Sequence, residues 1–237
     1  WNASTGSLIE AKSFPDAAIQ FGALSHDGRL LVTARPDDWV RVYDLDSSGN
    51  SVQFAGHTDI SHVALTANRQ EIALGLPHGL LVKSIPSGAK TRHFDGLPGI
   101  VSATSHSIDG RLIAISCRKS IPIRGGGGLR IQEDADQRIA ILDAKTGDLI
   151  QSLNETPATG NKVRDIAITA LLISPDGTML VSATDDLALT LWNVGSKKMI
   201  QRVEMAHRQK INCLAHSPSG NILVTGSDDG MIKLWAI

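Results

Sequence analysis

Short apolar runs recur along the chain, and each one follows a polar tetrad typical of a tight turn. The tetrads begin at Ser25, Thr66, Ser107, Ser174 and Ser217, at intervals of 41, 41, 67 and 43 residues. The runs that follow are LLVTA, EIALG, LIAIS, MLVSA and ILVTG. Apolar runs of this length between turn signals predict buried strands. Three of the four intervals nearly agree, so the sequence predicts a repeated structural unit.

A second segment in each unit alternates apolar and polar residues, as half-buried strands do. These segments end at Asp44, Ser84, Asp143, Asn193 and Ala236. Glycine-containing turns then lead into a final short strand, so each unit holds four strands and no convincing helix. Four strands per 40 to 45 residues, roughly, predict the blade of a β-propeller. The predicted fold is all-β, with five blades of four antiparallel strands each.

At this point the sequence resembles the WD-repeat family, most completely over residues 206–235. In that family a His, a Ser or Thr, an Asp and a Trp form a hydrogen-bonded tetrad that ties the strands of a blade together. By matching position the resemblance implies three sets, which are His207, Thr225, Asp229 and Trp235; Ser182, Asp186 and Trp192; and Thr33, Asp37 and Tyr43. The second unit has Lys83 at the Trp position and the third has Leu142. We expect those two blades to rely more on packing.

The whole chain is predicted to be one propeller domain. Its blades span about residues 12–52, 53–93, 94–152, 153–203 and 204–237. Residues 1–11 read as the end of a third strand followed by a fourth strand. Two interpretations stay open: this segment completes the last blade, or the chain belongs to a longer array of blades.

Composition limits the classes of partner. Apolar residues make up 42% and the net charge is −1, so the chain has enough apolar surface for a core and no global field that attracts nucleic acid. No apolar run approaches the roughly 20 residues that span a bilayer. Two cysteines do not make a disulfide framework. We therefore predict a cytoplasmic protein that binds neither nucleic acid nor membrane.

Motifs that would indicate catalysis or metal binding are missing from the sequence. The glycine run at 125–128 is not followed by the Gly-Lys-Ser/Thr of a phosphate loop, and the eight histidines show no zinc spacing. No nucleophile elbow is present. We expect no enzyme activity, no metal and no cofactor. A hydrolase or lyase with its site in the central depression is one alternative, and an autoinhibitory sensor domain of a larger signalling protein is another.

Two insertions predict where a partner binds. Two of the repeated units are longer than the others. Their extra residues lie near 118–136, between the second and third strands of one blade, and near 154–165, before the first strand of the next blade. Both connections emerge on the same face of a propeller. The predicted partner-binding residues there are Trp39, Arg118, Lys119, Arg124, Arg130, Lys162 and Arg164. A solvated basic loop is the alternative. The predicted function is a non-enzymatic scaffold whose partners are other proteins or other domains of its own parent chain.

Overall fold

The computed structural model describes most of the chain between residues 19 and 237. It describes residues 5, 7–8, 19–25, 27–34, 39–46, 51–55, 60–66, 69–77, 79–95, 97, 100–125, 128–154, 166–217 and 219–237. For residues 95, 100, 118–125, 128–138 and 154 it describes the backbone alone.

Nineteen β-strands form five separate antiparallel sheets, and each sheet uses consecutive strands. Blade 1 contains β1 (Phe21–Leu24), β2 (Leu30–Ala34), β3 (Trp39–Asp44) and β4 (Ser51–Ala55). Blade 2 contains β5 (His62–Leu65), β6 (Glu71–Leu76), β7 (Gly79–Ser84) and β8 (Lys90–Asp95). Blade 3 contains β9 (Ile100–His106), β10 (Leu112–Gly125), β11 (Gly128–Asp143) and β12 (Leu149–Asn154).

Blade 4 contains β13 (Ile168–Ile173), β14 (Met179–Thr184), β15 (Leu189–Asn193) and β16 (Lys198–Val203). Blade 5 contains β17 (Ile211–His216), β18 (Ile222–Ser227) and β19 (Ile232–Ala236). These sheets confirm the predicted all-β, five-bladed propeller. The fourth strands of blades 1, 2 and 3 run two or three residues past the predicted blade boundaries at 52, 93 and 152.

The hydrophobic core lies between neighbouring blades. Strands β1, β5, β9, β13 and β17 are the first of each blade, and contacts join β1 to β5, β5 to β9, β9 to β13 and β13 to β17. Because side chains alternate across a strand, neighbouring blades present apolar faces to each other. The clusters between blades centre on fully buried residues such as Val32, Leu74, Ile115, Ile141 and Ala183.

The polar tetrads form the turns between first and second strands. In three of them the serine hydroxyl donates to the aspartate two residues later, as Ser107 does to Asp109 at 2.6 Å. The fourth residue takes a left-handed φ, which glycine adopts at low cost. Gly110 has φ 69° there, whereas Arg69 takes φ 57° at the same place in blade 2. Blade 2 therefore holds a strained non-glycine residue in its turn.

Blades 2 and 3 pack apolar side chains where other blades have hydrogen-bonding ones. Leu74 and Ile115 occupy the position of Thr225, and both are fully buried. Leu142, at the Trp position of blade 3, is 2% exposed. At that position in blade 2, Lys83 Nζ donates to the carbonyl of Ala55. Packing replaces the hydrogen-bonded tetrad in these two blades.

The first insertion is a strand extension. We predicted an excess loop at 118–136, but β10 and β11 continue as a paired ladder from Lys119 opposite Asp134 to Gly125 opposite Gly128. Residues 126 and 127, between the paired ends of the two strands, lie outside the described residues. The ladder carries the backbone of this segment away from the blade.

Blade 5 has three strands among the described residues, one fewer than the four predicted for each blade. Most of residues 1–11 lie outside the described residues. The proposal that this segment supplies a fourth strand stays a prediction.

Candidate functional site

A central cavity opens on the face toward which the β10–β11 ladder extends. First strands begin on this face and second strands end there, so the connections between strands 2 and 3 and those entering strand 1 share it. The cavity has a volume of about 680 Å³ and is lined from all five blades, at the starts of β1, β5, β9, β13 and β17. A cavity of this size falls within the range of ligand pockets, which runs from roughly 300 to 1,000 Å³.

Polar groups surround the cavity. Gln20, Ser61, Ser102, Thr169 and Asn212 line it. Two charged residues, Asp185 and Lys210, lie on its rim in blades 4 and 5.

Backbone hydrogen bonds hold these charged residues in place. The Ala167 amide donates to Asp185 Oδ1 at 2.8 Å, and the Asp185 amide donates to the carbonyl of Ala167 at 2.8 Å. The Asp228 amide donates to the carbonyl of Lys210 at 3.0 Å. The turns between strands 2 and 3 are thereby tied to the starts of the first strands, and the rim is preorganised.

Four residues of blade 5 form a continuous hydrogen-bonded set beside this face. His207 Nδ1 lies 3.0 Å from Asp229 Oδ2, and His207 Nε2 lies 2.6 Å from Thr225 Oγ1. Trp235 Nε1 donates to Thr225 Oγ1 at 3.0 Å. The backbone amide of Arg208 donates to the Asp229 carboxylate and, as the main cause, holds the pKa of that carboxyl well below its usual range. The carboxylate therefore stays ionised across the neutral and mildly acidic range.

Blade 4 holds its aspartate differently. Trp192 Nε1 donates to Ser182 Oγ at 3.0 Å. Asp186, however, accepts from Arg202 Nη2 of β16 at 2.5 Å and from Thr184 Oγ1 at 2.5 Å. The Arg202 side chain is only 6% exposed, so this ion pair is largely shielded from solvent. Buried Arg–carboxylate pairs with further hydrogen bonds fix geometry strongly.

Sequence reasoning missed Arg202. The sequence does carry one signal, which is that blade 4 lacks the histidine of the tetrad. In blade 5, His207 precedes Thr225 by eighteen residues, whereas the residue eighteen before Ser182 in blade 4 is Arg164. Arg164 lies outside the described residues. In blade 1, Thr33 is 2% exposed and Tyr43 is paired with Leu31 across the sheet, while Asp37 lies outside the described residues.

The predicted partner-binding residues are only partly described. Trp39 begins β3 at the cavity face and is 40% exposed. Arg118, Lys119, Arg124 and Arg130 lie in the backbone ladder of β10 and β11, and their side chains are outside the description. Lys162 and Arg164 lie outside the described residues altogether. The basic cluster therefore stays a prediction.

Burial shifts the pKa of two histidines and one cysteine. Burial lowers the pKa of His62 and of His106 to about 4 and raises the pKa of the Cys117 thiol to about 12. A thiol in this state is a poor nucleophile. Over the described part of the chain, no three His, Cys, Asp or Glu side chains are placed to hold a metal ion. None of the described residues forms a helix long and apolar enough to cross a membrane.

Known proteins resemble this chain. The family model "WD domain, G-beta repeat" matches residues 148–193 and 199–236. Striatin from Homo sapiens is 31% identical over 233 residues, which are 91% of this chain and 27% of striatin. WD repeat-containing protein 1 from Bos taurus is 29% identical over 190 residues, 78% of this chain and 28% of that protein. The version from Gallus gallus is 34% identical over 83 residues, 34% of this chain and 13% of its own length. The matched part thus spans well under a third of each relative.

Proposed function

Because the chain belongs to the WD-repeat family, we propose that it is a non-enzymatic scaffold that binds other proteins on the face around the central cavity. These partners include domains of its own parent chain. Relatives that carry WD repeats support interaction as the function in general. The choice of the binding face is argued from features of this chain rather than from its relatives.

One observation carries the choice of face. The β10–β11 ladder, which grows from a connection between strands 2 and 3, extends by about seven residue pairs on the side where the cavity opens. Extending a surface connection costs a folded protein little, about 0.6 kcal/mol per doubling of loop length. The fold therefore tolerates such growth where function favours it. Trp39, half-exposed at the same face, adds an aromatic side chain of the kind that anchors protein interfaces.

Rigidity is the physical advantage of this arrangement. The rim turns are bonded to the first strands, and the blades are packed through fully buried side chains. A partner that binds such a surface orders few protein groups, so less of its interaction energy is lost to entropy.

Shortening the ladder tests the proposal. Cys117 and Arg138 are paired across the sheet, so residues 118–137 can be replaced by an Asn-Gly turn that closes the hairpin there. We expect the shortened variant to have the melting temperature of the wild type. Quantitative mass spectrometry identifies the proteins that the wild-type chain captures, and we expect the shortened variant no longer to capture them.

Charge reversals provide the matched comparison. Arg124→Glu with Arg130→Glu changes the ladder, whereas Lys145→Glu with Lys197→Glu changes exposed turns on the opposite face. Surface charges contribute little to stability, so both variants should fold. The proposal is supported if only the variant with Arg124→Glu and Arg130→Glu captures less of the partner and shows a weaker dependence of binding on salt concentration. If the shortened variant still captures the partner and the variant with Lys145→Glu and Lys197→Glu does not, the partner binds the opposite face.

A further inference from the structure

The fourth strands of blades 3 and 4 begin with the same irregularity, a β-bulge. In β12, Leu149 and Ile150 together occupy the place of one residue in the pairing, and in β16 Met199 and Ile200 do the same. Bulges at a sheet edge interrupt the regular ladder and re-aim the side chains beside it. We call these four apolar side chains the rim patch.

The rim patch is exposed and continuous across the two blades. Each of its side chains is between 49% and 61% exposed. Gln151 of β12 joins the two halves, since its Nε2 donates to the carbonyl of Val194 in the turn that leads into β16. Blade 2 has a bulge at the same place but fills it with Lys90 and Thr91. Single exposed apolar side chains are common, whereas a group of them indicates an interaction surface.

Opposite charges lie at matching ends of the rim patch. Asp148 precedes Leu149 in blade 3, and Lys198 precedes Met199 in blade 4. Both charged side chains are exposed. A two-fold axis between the blades would set the blade 3 half of one copy against the blade 4 half of a second copy. Apolar side chains would then meet apolar ones, and each Asp148 would meet a Lys198. The rim patch is therefore complementary to itself.

We propose that two copies of this chain associate through the rim patch in a two-fold symmetric dimer. The bulges favour contact through side chains over a continuous sheet, because they interrupt the strand edge with which another strand would pair. A two-fold contact occupies both halves of the patch in each copy, so assembly stops at two copies. The patch adjoins the turns between strands 3 and 4, on the side opposite the ladder. This inference is thus independent of the proposed scaffold function.

The size of the rim patch predicts a weak dimer. Four half-exposed side chains contribute only a few hundred Å² of contact, whereas stable complexes bury roughly 800 Å² per partner. We therefore expect a dissociation constant between about 10 μM and about 1 mM. The concentration of the protein then decides how much of it is dimeric.

Sedimentation velocity of the full 237-residue chain over this concentration range measures the association. We expect a reversible equilibrium between monomer and dimer. Leu149→Gln with Met199→Gln should raise the dissociation constant about tenfold, since each lost apolar contact occurs twice in the dimer. Val52→Gln with Met205→Gln changes exposed apolar side chains elsewhere, so it is the matched control and should dimerise like the wild type. Thermal melting checks that both variants are folded.

Exchanging the charges tests the two-fold arrangement. Asp148→Lys and Lys198→Asp each place like charges opposite one another at both contacts, so each variant alone should associate more weakly than the wild type. An equimolar mixture of the two variants pairs opposite charges again. We expect this mixture to form dimers at close to the wild-type level.

Three outcomes would overturn the inference at different steps. A wild-type chain that stays monomeric at every concentration overturns the dimer. Dimers that persist in Leu149→Gln with Met199→Gln overturn the rim patch as the contact. A mixture of the charge variants that associates no better than its components, or growth of the wild type beyond dimers, overturns the two-fold arrangement. The protein-capture experiment judges the scaffold function separately, because the shortened ladder leaves the rim patch intact.

Discussion

At Thr225 a single buried hydroxyl joins two aromatic side chains from different parts of blade 5. It accepts from Trp235 Nε1 and lies 2.6 Å from His207 Nε2, and Thr225 itself is fully buried. A methyl group in its place would leave two buried ring nitrogens without their partner. The loss of such a hydroxyl costs more than the hydrogen bonds it made, because the remaining polar groups stay desolvated.

Thr225→Val should therefore lower the free energy of unfolding by about 1–3 kcal/mol, because it leaves the ring nitrogens of Trp235 and His207 without this partner. Thr178→Val is the control, since that side chain is exposed and bonds only to its own turn. Urea denaturation of both variants measures the difference. Equal midpoints for the two variants would show that the hydrogen-bonded set does not stabilise blade 5.

Spacing explains which residues of this set are accessible to prediction. His207, Thr225, Asp229 and Trp235 lie within thirty residues and follow one repeated pattern. Arg202 follows no such pattern, because it reaches Asp186, in the turn between the second and third strands, from the fourth strand of the blade. Arg69 is a second residue that sequence reasoning covers only in part. The sequence shows that a glycine is missing at this turn position, where φ is strained, but it does not show the ion pair at 2.5 Å with Asp27 in the neighbouring turn.

At the scale of elements, the contact between blades 2 and 3 holds a group of buried polar side chains. His106, the last residue of β9, has two buried ring nitrogens without a hydrogen-bond partner in the described structure. Arg92 of β8 and His62 of β5 act on it electrostatically, and both lower its pKa in addition to burial. Arg92 is paired with Glu71 of β6. The same position is Leu24, Leu65 or Ile173 in other blades.

This contact should be sensitive to acid. The pKa of His106 is about 4 in the folded chain against about 6.5 in an unfolded one, so the unfolded state binds more protons between these values. The stability contributed by neutral His106 is complete above pH 6.5 and is lost as the pH falls toward 4. His62 contributes in the same direction.

His106→Leu should therefore flatten the pH dependence of unfolding. We expect urea midpoints of the wild type to fall between pH 7 and pH 4.5, and those of His106→Leu to fall less, because His62 still contributes in the variant. Ile173→Val, at the matching position of blade 4, removes no titratable group, so it is the control and should keep the wild-type slope. A slope in His106→Leu that equals that of the wild type would show that the imidazole does not titrate with unfolding.

At the scale of the whole molecule, the first and last blades expose positions that are buried elsewhere. Ile232 and Leu189 each begin the third strand of a blade, yet Ile232 is 70% exposed and Leu189 is 5% exposed. Leu24 and Ile173 each end a first strand, and they are 58% and 0% exposed. The difference follows from neighbours: Leu189 packs in the cluster between blades 4 and 5, whereas Ile232 lies on the outer face of blade 5.

Substituting alanine for Leu189 and for Ile232 should change the stability of the protein by different amounts, because only Leu189 is buried. Leu189→Ala should lower the unfolding free energy by about 2–4 kcal/mol through lost burial and a new cavity. Ile232→Ala should cost under about 1 kcal/mol, because its side chain is already in water. Chemical denaturation of the 237-residue chain gives both values. Similar costs at the two positions would show that the outer face of blade 5 is covered in solution.

The sequence by itself determined the strand pattern, the turns and the five-bladed propeller, because local periodicity, turn residues and a repeat near 41 residues all act over short distances. Tertiary structure decided which side chains meet across blades: Arg202 with Asp186, His106 beside Arg92, and residues of all five blades around one cavity. It also turned the predicted insertion loop into a paired ladder. These outcomes depend on how strands pair and how sheets are placed around a common axis, which brings together residues far apart in the chain.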